Sequence, residues 1–132
     1  MAWVRCCGGA KKTYTWNGLT ATWTNGLTMN VNGNIADTIS SATDVLPENC
    51  RCNVALSIRR TSGMIAWHVQ VSDADIATPV WTTIDQGTIQ SDLEWSGAYS
   101  LANYAGQRVK FRIWISGGVG SVSIGQFKVT NA

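Results

Sequence analysis

The chain has 132 residues, of which 45% are hydrophobic and 14% charged, with a formal net charge of +2. That length suits one ordinary domain able to bury a core without metal or disulfide support, and the hydrophobic fraction excludes a disordered chain. Its ten Lys and Arg form no basic stripe and no apolar run approaches membrane-spanning length, so neither nucleic acid nor a membrane is an expected partner.

The opening Met1-Ala2-Trp3-Val4-Arg5-Cys6-Cys7-Gly8-Gly9 lacks the basic and then long apolar regions of a signal peptide. The expectation is a protein that is either made and kept in the cytoplasm or leaves by a route needing no signal, release by lysis being one such route. Gly8-Gly9 interrupts any regular element and Lys11-Lys12 is solvated, so residues 1–12 read as an arm and 13–132 as the folded domain. The arm is either a loose terminus or a segment that docks on a neighbouring subunit.

Beyond the arm the apolar period is two. Leu19, Ala21 and Trp23 alternate with threonines, Asn25-Gly26 follows, and Leu27, Met29 and Val31 alternate with Thr28 and Asn30, which predicts a hairpin closed by Asn-Gly. Residues 35–49, rich in Ser, Thr and Asp, read as a loop with one weak strand. Cys52, Val54, Leu56 and Ile58 share a strand face, as do Ile65, Trp67, Val69 and Val71, with His68 and Gln70 opposite. Residues 80–84 and 97–101 are shorter candidates. Val109, Phe111, Ile113 and Ile115 form another apolar face, opposed by Lys110, Arg112 and Trp114. In the last strand Val122 and Ile124 are out of phase with Phe127 and Val129, and a bulge at Gly125 would restore both pairs to the core. No segment holds a helical period. The expected fold is all-β, a two-sheet antiparallel sandwich.

Four cysteines form the sharpest constellation. Cys50 and Cys52 would face the same way on a strand and, with Cys6 and Cys7, could close a structural zinc site. The spacing is not a pair of C-x-x-C knuckles, so disulfides and free core thiols stand beside zinc as readings. His68 is the single histidine, no G-x-S-x-G elbow exists, and nothing in the spacing ties His68 to an acid or a nucleophile. Asp73 and Asp75 offer oxygen ligands of the kind Ca²⁺ takes, but better suit a solvated turn. Asp92 and Glu94 flank Leu93 in what reads as a loop, and residues two apart rarely face each other across a sugar cleft as glycosidase carboxylates must. No catalytic activity is expected.

Seven tryptophans are many for this length. Trp23, Trp67 and Trp81 alternate with core residues. Trp114 shares a face with Lys110 and Arg112, and Trp95 and Trp16 lie in polar surroundings. A ring with polar neighbours can stack on a sugar or anchor a protein interface, although burial under the 35–49 loop would also explain Trp114. The expected working surface is therefore Trp114, Arg112 and Lys110, extended by His68 and Gln70.

From Trp67 onward the chain resembles the MAM-like and carbohydrate-binding-module-like jelly rolls. The strand Trp67-His68-Val69-Gln70-Val71-Ser72, the Val80-Trp81-Thr82-Thr83-Ile84 segment and the turn Tyr104-Ala105-Gly106-Gln107 leading into a long strand carry the likeness. It implies a jelly-roll sandwich. That pattern ends on an acidic pair, where this chain has Gly125 and Gln126, so no ligand or cation role of that pair is carried over. The opening Trp3-Val4-Arg5-Cys6-Cys7-Gly8-Gly9 is similar to small phage and prophage virion proteins of Gram-positive bacteria. This second likeness implies a non-catalytic virion component, tail-associated or capsid-decorating, present as a homo-oligomer or in many copies and able to bind a host surface glycan. A stand-alone carbohydrate-binding module is the alternative.

Overall fold

A computed structural model describes residues 13–15 and 23–131, which form two packed antiparallel sheets. The first is built on β4 (Cys50–Ser62) and β9 (Val119–Asn131), the two longest strands. β7 (Leu93–Ser100) pairs with the free side of β4. The free side of β9 is shared by β1 (Thr13–Thr15) near its end and β2 (Thr28–Asn32) near its start. The second sheet runs β3 (Ala36–Ile39), β8 (Val109–Ser116), β5 (Ile65–Asp73), β6 (Thr82–Ile89). Among the described residues the one helical element is a single 3-10 turn, Ala102–Tyr104.

The alternation read from the sequence is the alternation of burial. Val54, Leu56 and Ile58 of β4 face Val69, Val71, Phe111 and Ile113 of the second sheet across one continuous core. Phe127 is fully enclosed, its ring 5.4 Å from Trp23 and 4.6 Å from Phe111. Each such side chain contributes roughly 1.5–3 kcal/mol by leaving water, so one phase error in a strand is costly. The bulge avoids that error. Ile124 pairs with Leu56 and Gln126 with Ala55, which leaves Gly125 unpaired and brings both Ile124 and Phe127 inward. Gly125 is not held at positive φ; a Cβ there would come no closer than 3.7 Å to Ala55 O.

Two expectations are corrected. Asn25-Gly26 does form a turn, with Gly26 at φ 75° donating its N–H to Trp23 O at 3.1 Å. It does not close a hairpin: β2 pairs with β9, while Trp23 bridges to Ser40 beside the second sheet. The turn hands the chain from one sheet to the other, because Met29 and Val31 find their core partners along distant β9 rather than along their own predecessor. Residues 16–22, the other part of that expected hairpin, lie outside the described residues. The second correction is β7, which starts at Leu93, so the stretch read as a polar loop around Trp95 is a strand.

The weak strand in 35–49 is β3, and its polar residues continue the pairing after Ile39. Ser40 and Phe111 exchange backbone bonds through Ser40 N and Oγ at 2.8 and 2.9 Å, and Thr43 does the same with Val109. These buried hydroxyls satisfy N–H groups that an edge would otherwise leave dry and unpaired.

Candidate functional site

The outward side of the second sheet collects the residues singled out by sequence. Strand register places Asp37, Trp114 and His68 in one row across β3, β8 and β5, and Ile39, Arg112 and Gln70 in the next. The His68 ring meets Trp114 edge-on with centroids 4.3 Å apart. Arg112 donates from Nε to Asp37 Oδ2 at 2.8 Å and lies 5.7 Å from the centre of the Trp81 ring. Gln70 donates to Thr83 Oγ1 at 3.2 Å. None of Trp114, Arg112, Lys110, His68 and Gln70 is fully exposed; all are half-buried by their neighbours on the face. His68 Nδ1 and Gln70 Oε1 are enclosed without a hydrogen-bond partner among the described residues.

Two tryptophans change place relative to expectation. Trp81 precedes β6 and, instead of joining the core, lies half-buried against Arg112. The register shift in β6 opposite Val69 and Gln70 breaks the alternation that sequence reading extended through 80–84. Trp95 points the other way, inward from β7, with its ring 4.6 Å from Trp67 of the opposite sheet and stacked 6.0 Å from Tyr99. Tyr99 donates its hydroxyl to Asp85 of β6, so a hydrogen bond crosses between the edge strands of the two sheets. Burial first, and Asp85 second, push the Tyr99 phenol above its ordinary value. Trp95 thus belongs to the packing at this edge rather than to an outward surface. Trp16 lies outside the described residues.

Cys50 and Cys52 point into the core from β4, both fully buried and free. Burial pushes their thiols up to about 11 and about 12, which opposes the thiolate form that zinc requires. Cys6 and Cys7 lie outside the described residues, and among those described no group of three metal-ligating side chains gathers. Asp73 accepts the Asp75 N–H at 2.8 Å, and Asp75 pairs with Arg108 at 3.0 Å, the pattern of a turn held by its own side chains. Asp92 accepts the Arg60 N–H at 2.8 Å. Glu94 accepts from Ser57 at 2.7 Å and from Arg59 at 2.5 Å, and these bonds lower its pKa, the wrong direction for a general acid.

Sequence reading missed Asp37 and Trp81 as members of this face. Asp37 sat in a stretch taken as loop, and no signal in the sequence pairs it with Arg112, 75 residues away.

No known family model and no curated protein sequence matches this chain. Solved structures do match. A xylan-binding module, CBM15, superposes with a TM-score of 0.58 at 11% identity, covering 94% of this chain and 92% of that one. The C-terminal family 22 carbohydrate-binding module of Clostridium thermocellum Xyn10B gives 0.54 at 11% identity over 94% and 87%. A chain of infectious bursal disease virus, Gx strain, gives 0.54 at 11% identity, covering 92% of this chain and 33% of that longer one. Such low identities speak for architecture alone, and with the two antiparallel sheets they make this chain a jelly-roll-type β-sandwich.

Proposed function

We propose that the chain is a non-catalytic structural component of a phage or prophage particle, present in many copies, with residues 1–12 as an arm and the sandwich as its body. The observation that carries this reading is the outward face of the second sheet. There two indoles, one guanidinium and one imidazole form a semi-buried aromatic and cationic patch. Aromatic and Arg side chains are what protein interfaces concentrate, and the low overall charge leaves few ions to desolvate when copies pack. His68 Nδ1 and Gln70 Oε1, enclosed and without a partner among the described residues, add polar groups that a neighbour could satisfy. The similar viral chain supports the assembly reading, and the similar carbohydrate-binding modules support an accompanying role in glycan recognition.

The test is native mass measurement with negative-stain microscopy on the full chain and on Trp114→Ala. Rings, trimers or tubes are expected for the wild type. Trp114→Ala should stay folded and weaken assembly by about 2 kcal/mol or more, the scale of an aromatic hot spot. A wild type that stays monomeric, with a Trp114→Ala variant that unfolds, would refute the reading and return Trp114 to packing.

A further inference from the structure

The two sheets end in four edges, and an edge strand invites another strand unless it is short, bulged, charged or covered. Three of the four carry such a guard. Residues 23–25 cover β3: Thr24 donates its N–H to Ile39 O and accepts the Ile39 N–H on its hydroxyl, both at 2.9 Å, and Asn25 Nδ2 donates to Asp37 O at 2.6 Å. Beyond β9 lie only the short β1 and β2, of three and five residues. β6 is bulged, since Asp85 pairs with Val69 and Thr83 with Gln70, which leaves Ile84 over, and Asp85 Oδ1 takes the Gln86 N–H at 2.7 Å. β7 carries none of these guards. It has eight residues, contains neither Lys nor Pro, and pairs with β4 without a slip. No second strand pairs with it among the described residues. Its one charge, on Glu94, is held by Arg59 of the neighbouring strand.

The phase of the β7 backbone follows from one bond. Leu101 donates its N–H to Cys50 O at 2.7 Å, just beyond the pair Arg51 and Ser100. Bonded pairs alternate along an antiparallel ladder, so Leu93, Trp95, Gly97 and Tyr99 turn their N–H and C=O groups to β4. Glu94, Ser96, Ala98 and Ser100 turn theirs away from it. The side chains of these four are exposed, and all but Glu94 are small and uncharged. Beside this edge, the mouth between the sheets holds Ile84 and Ile89 of β6 with Leu93, Trp95 and Tyr99 of β7, all packed on the core yet only half-buried. The flank thus combines free backbone donors and acceptors with apolar surface still open to water.

We infer that β7 is the edge through which two copies of this chain join, antiparallel about a two-fold axis at the middle of the strand, so that their first sheets become one. A copy turned about that axis presents the same alternation in reverse, and each outward N–H meets a C=O. Ser96, Gly97 and Ala98 at the centre are too small to obstruct it, and no like charges oppose there. A flank about 27 Å long and about 20 Å thick, with two sheets about 10 Å apart and their outward side chains, buries about 1,000 Å² in total, the lower bound of a specific interface. The inference rests on the reading of the chain as a component present in many copies. It adds a self-contact distinct from the outward face of the second sheet, and the two together carry assembly beyond a pair.

Sedimentation of the full chain over a range of concentrations tests it, with hydrogen exchange at the Ser96 and Ala98 amides. Trp114→Ala should fall back to a dimer in which those two amides are protected. Ala98→Pro removes an N–H that β4 does not use, a place where an edge strand tolerates proline. It should weaken the dimer at least tenfold and leave the protein folded, whereas Gly97→Pro, which removes a bond to β4, should destabilise the fold. Ser96→Lys leaves the backbone intact and sets two ammonium groups near the axis. It should weaken the dimer severalfold at low ionic strength, with recovery in high salt. Ala98→Pro and Ser96→Lys variants that assemble as the wild type does overturn the inference and leave the Trp114 face standing. A wild type that stops at a dimer, broken by Ala98→Pro and untouched by Trp114→Ala, refutes the face reading alone. A protein monomeric at every concentration overturns both, and protected Ser96 and Ala98 amides in that monomer would mean that a segment of its own chain lies on the edge.

Discussion

The unpaired Gly125 gives two changes of equal size in sequence and opposite outcome. Ile124 faces Leu56, Gln126 faces Ala55 and Phe127 faces Val54. Deleting Gly125 therefore leaves a ladder in which every remaining pair can persist, with Ile124 inward, Gln126 outward and Phe127 inward. The expected loss of stability is under about 1 kcal/mol, since no core side chain changes face. Inserting one alanine between Gln126 and Phe127 does the reverse. It turns Phe127 and Val129, both wholly buried, toward water and Lys128 toward the core. At roughly 1.5–3 kcal/mol per buried apolar side chain, that costs at least about 3 kcal/mol before Lys128 is counted. Against a total of about 5–15 kcal/mol for an ordinary domain, the insertion should lower the urea midpoint severely or abolish folding. Urea unfolding followed by tryptophan fluorescence reads both variants. A deletion that destabilises as much as the insertion would refute the idea that the bulge is a phase correction.

Other outcomes follow from buried groups and close approaches. Cys52 stays protonated in the fold up to about pH 12, against an ordinary thiol value of 9.0, so the unfolded chain ionises first and stability falls as pH rises from about 9 toward 12. The slope per thiol is at most about 1.4 kcal/mol per pH unit, and Cys52→Ala should show a shallower decline of the urea midpoint between pH 9 and 11; an unchanged slope counts against the buried thiol as its source. Gly120→Ala would bring a Cβ within 2.2 Å of Arg59 O and 3.1 Å of Arg60 Cα, backbone that cannot move aside cheaply, so a loss of about 1–3 kcal/mol is expected in thermal or urea unfolding. A neutral result there would mean that the β4–β9 pair yields more than its geometry indicates.

Strand faces were legible wherever alternation ran unbroken. The inward sets of β4, β5 and β8, the bulge at Gly125 and the outward row of Trp114, Arg112 and Lys110 all follow from a period of two, because that period is fixed by the pleat itself. What escaped was whatever depends on partners far away in the chain. Asn25-Gly26 carries a local signal for a turn but none for which strand follows it, and β2 took β9 rather than a neighbour. Trp95 alternates with Leu93, Gly97 and Tyr99, yet Glu94 and Ser96 on either side of it gave the stretch the polarity of a loop; only pairing with β4 shows that the inward set closes an edge of the core.

β9 is the final described strand in chain order and the central partner of β1, β2 and β4. On the ribosome, each of those strands emerges long before the one that completes its pairing; Thr28 must wait for Ser123 and Cys52 for Val129. β3 waits in the same way for β8. Neither sheet can therefore close until almost the whole domain has been synthesised, and the apolar faces of the early strands spend that interval uncovered. Such a topology places the search for distant partners ahead of most of the stabilising burial, which makes folding slow for the size of the domain and leaves nascent chains exposed to one another. Where many copies are made at once, the order of the strands makes yield sensitive to the rate of translation as well as to the stability of the finished sandwich.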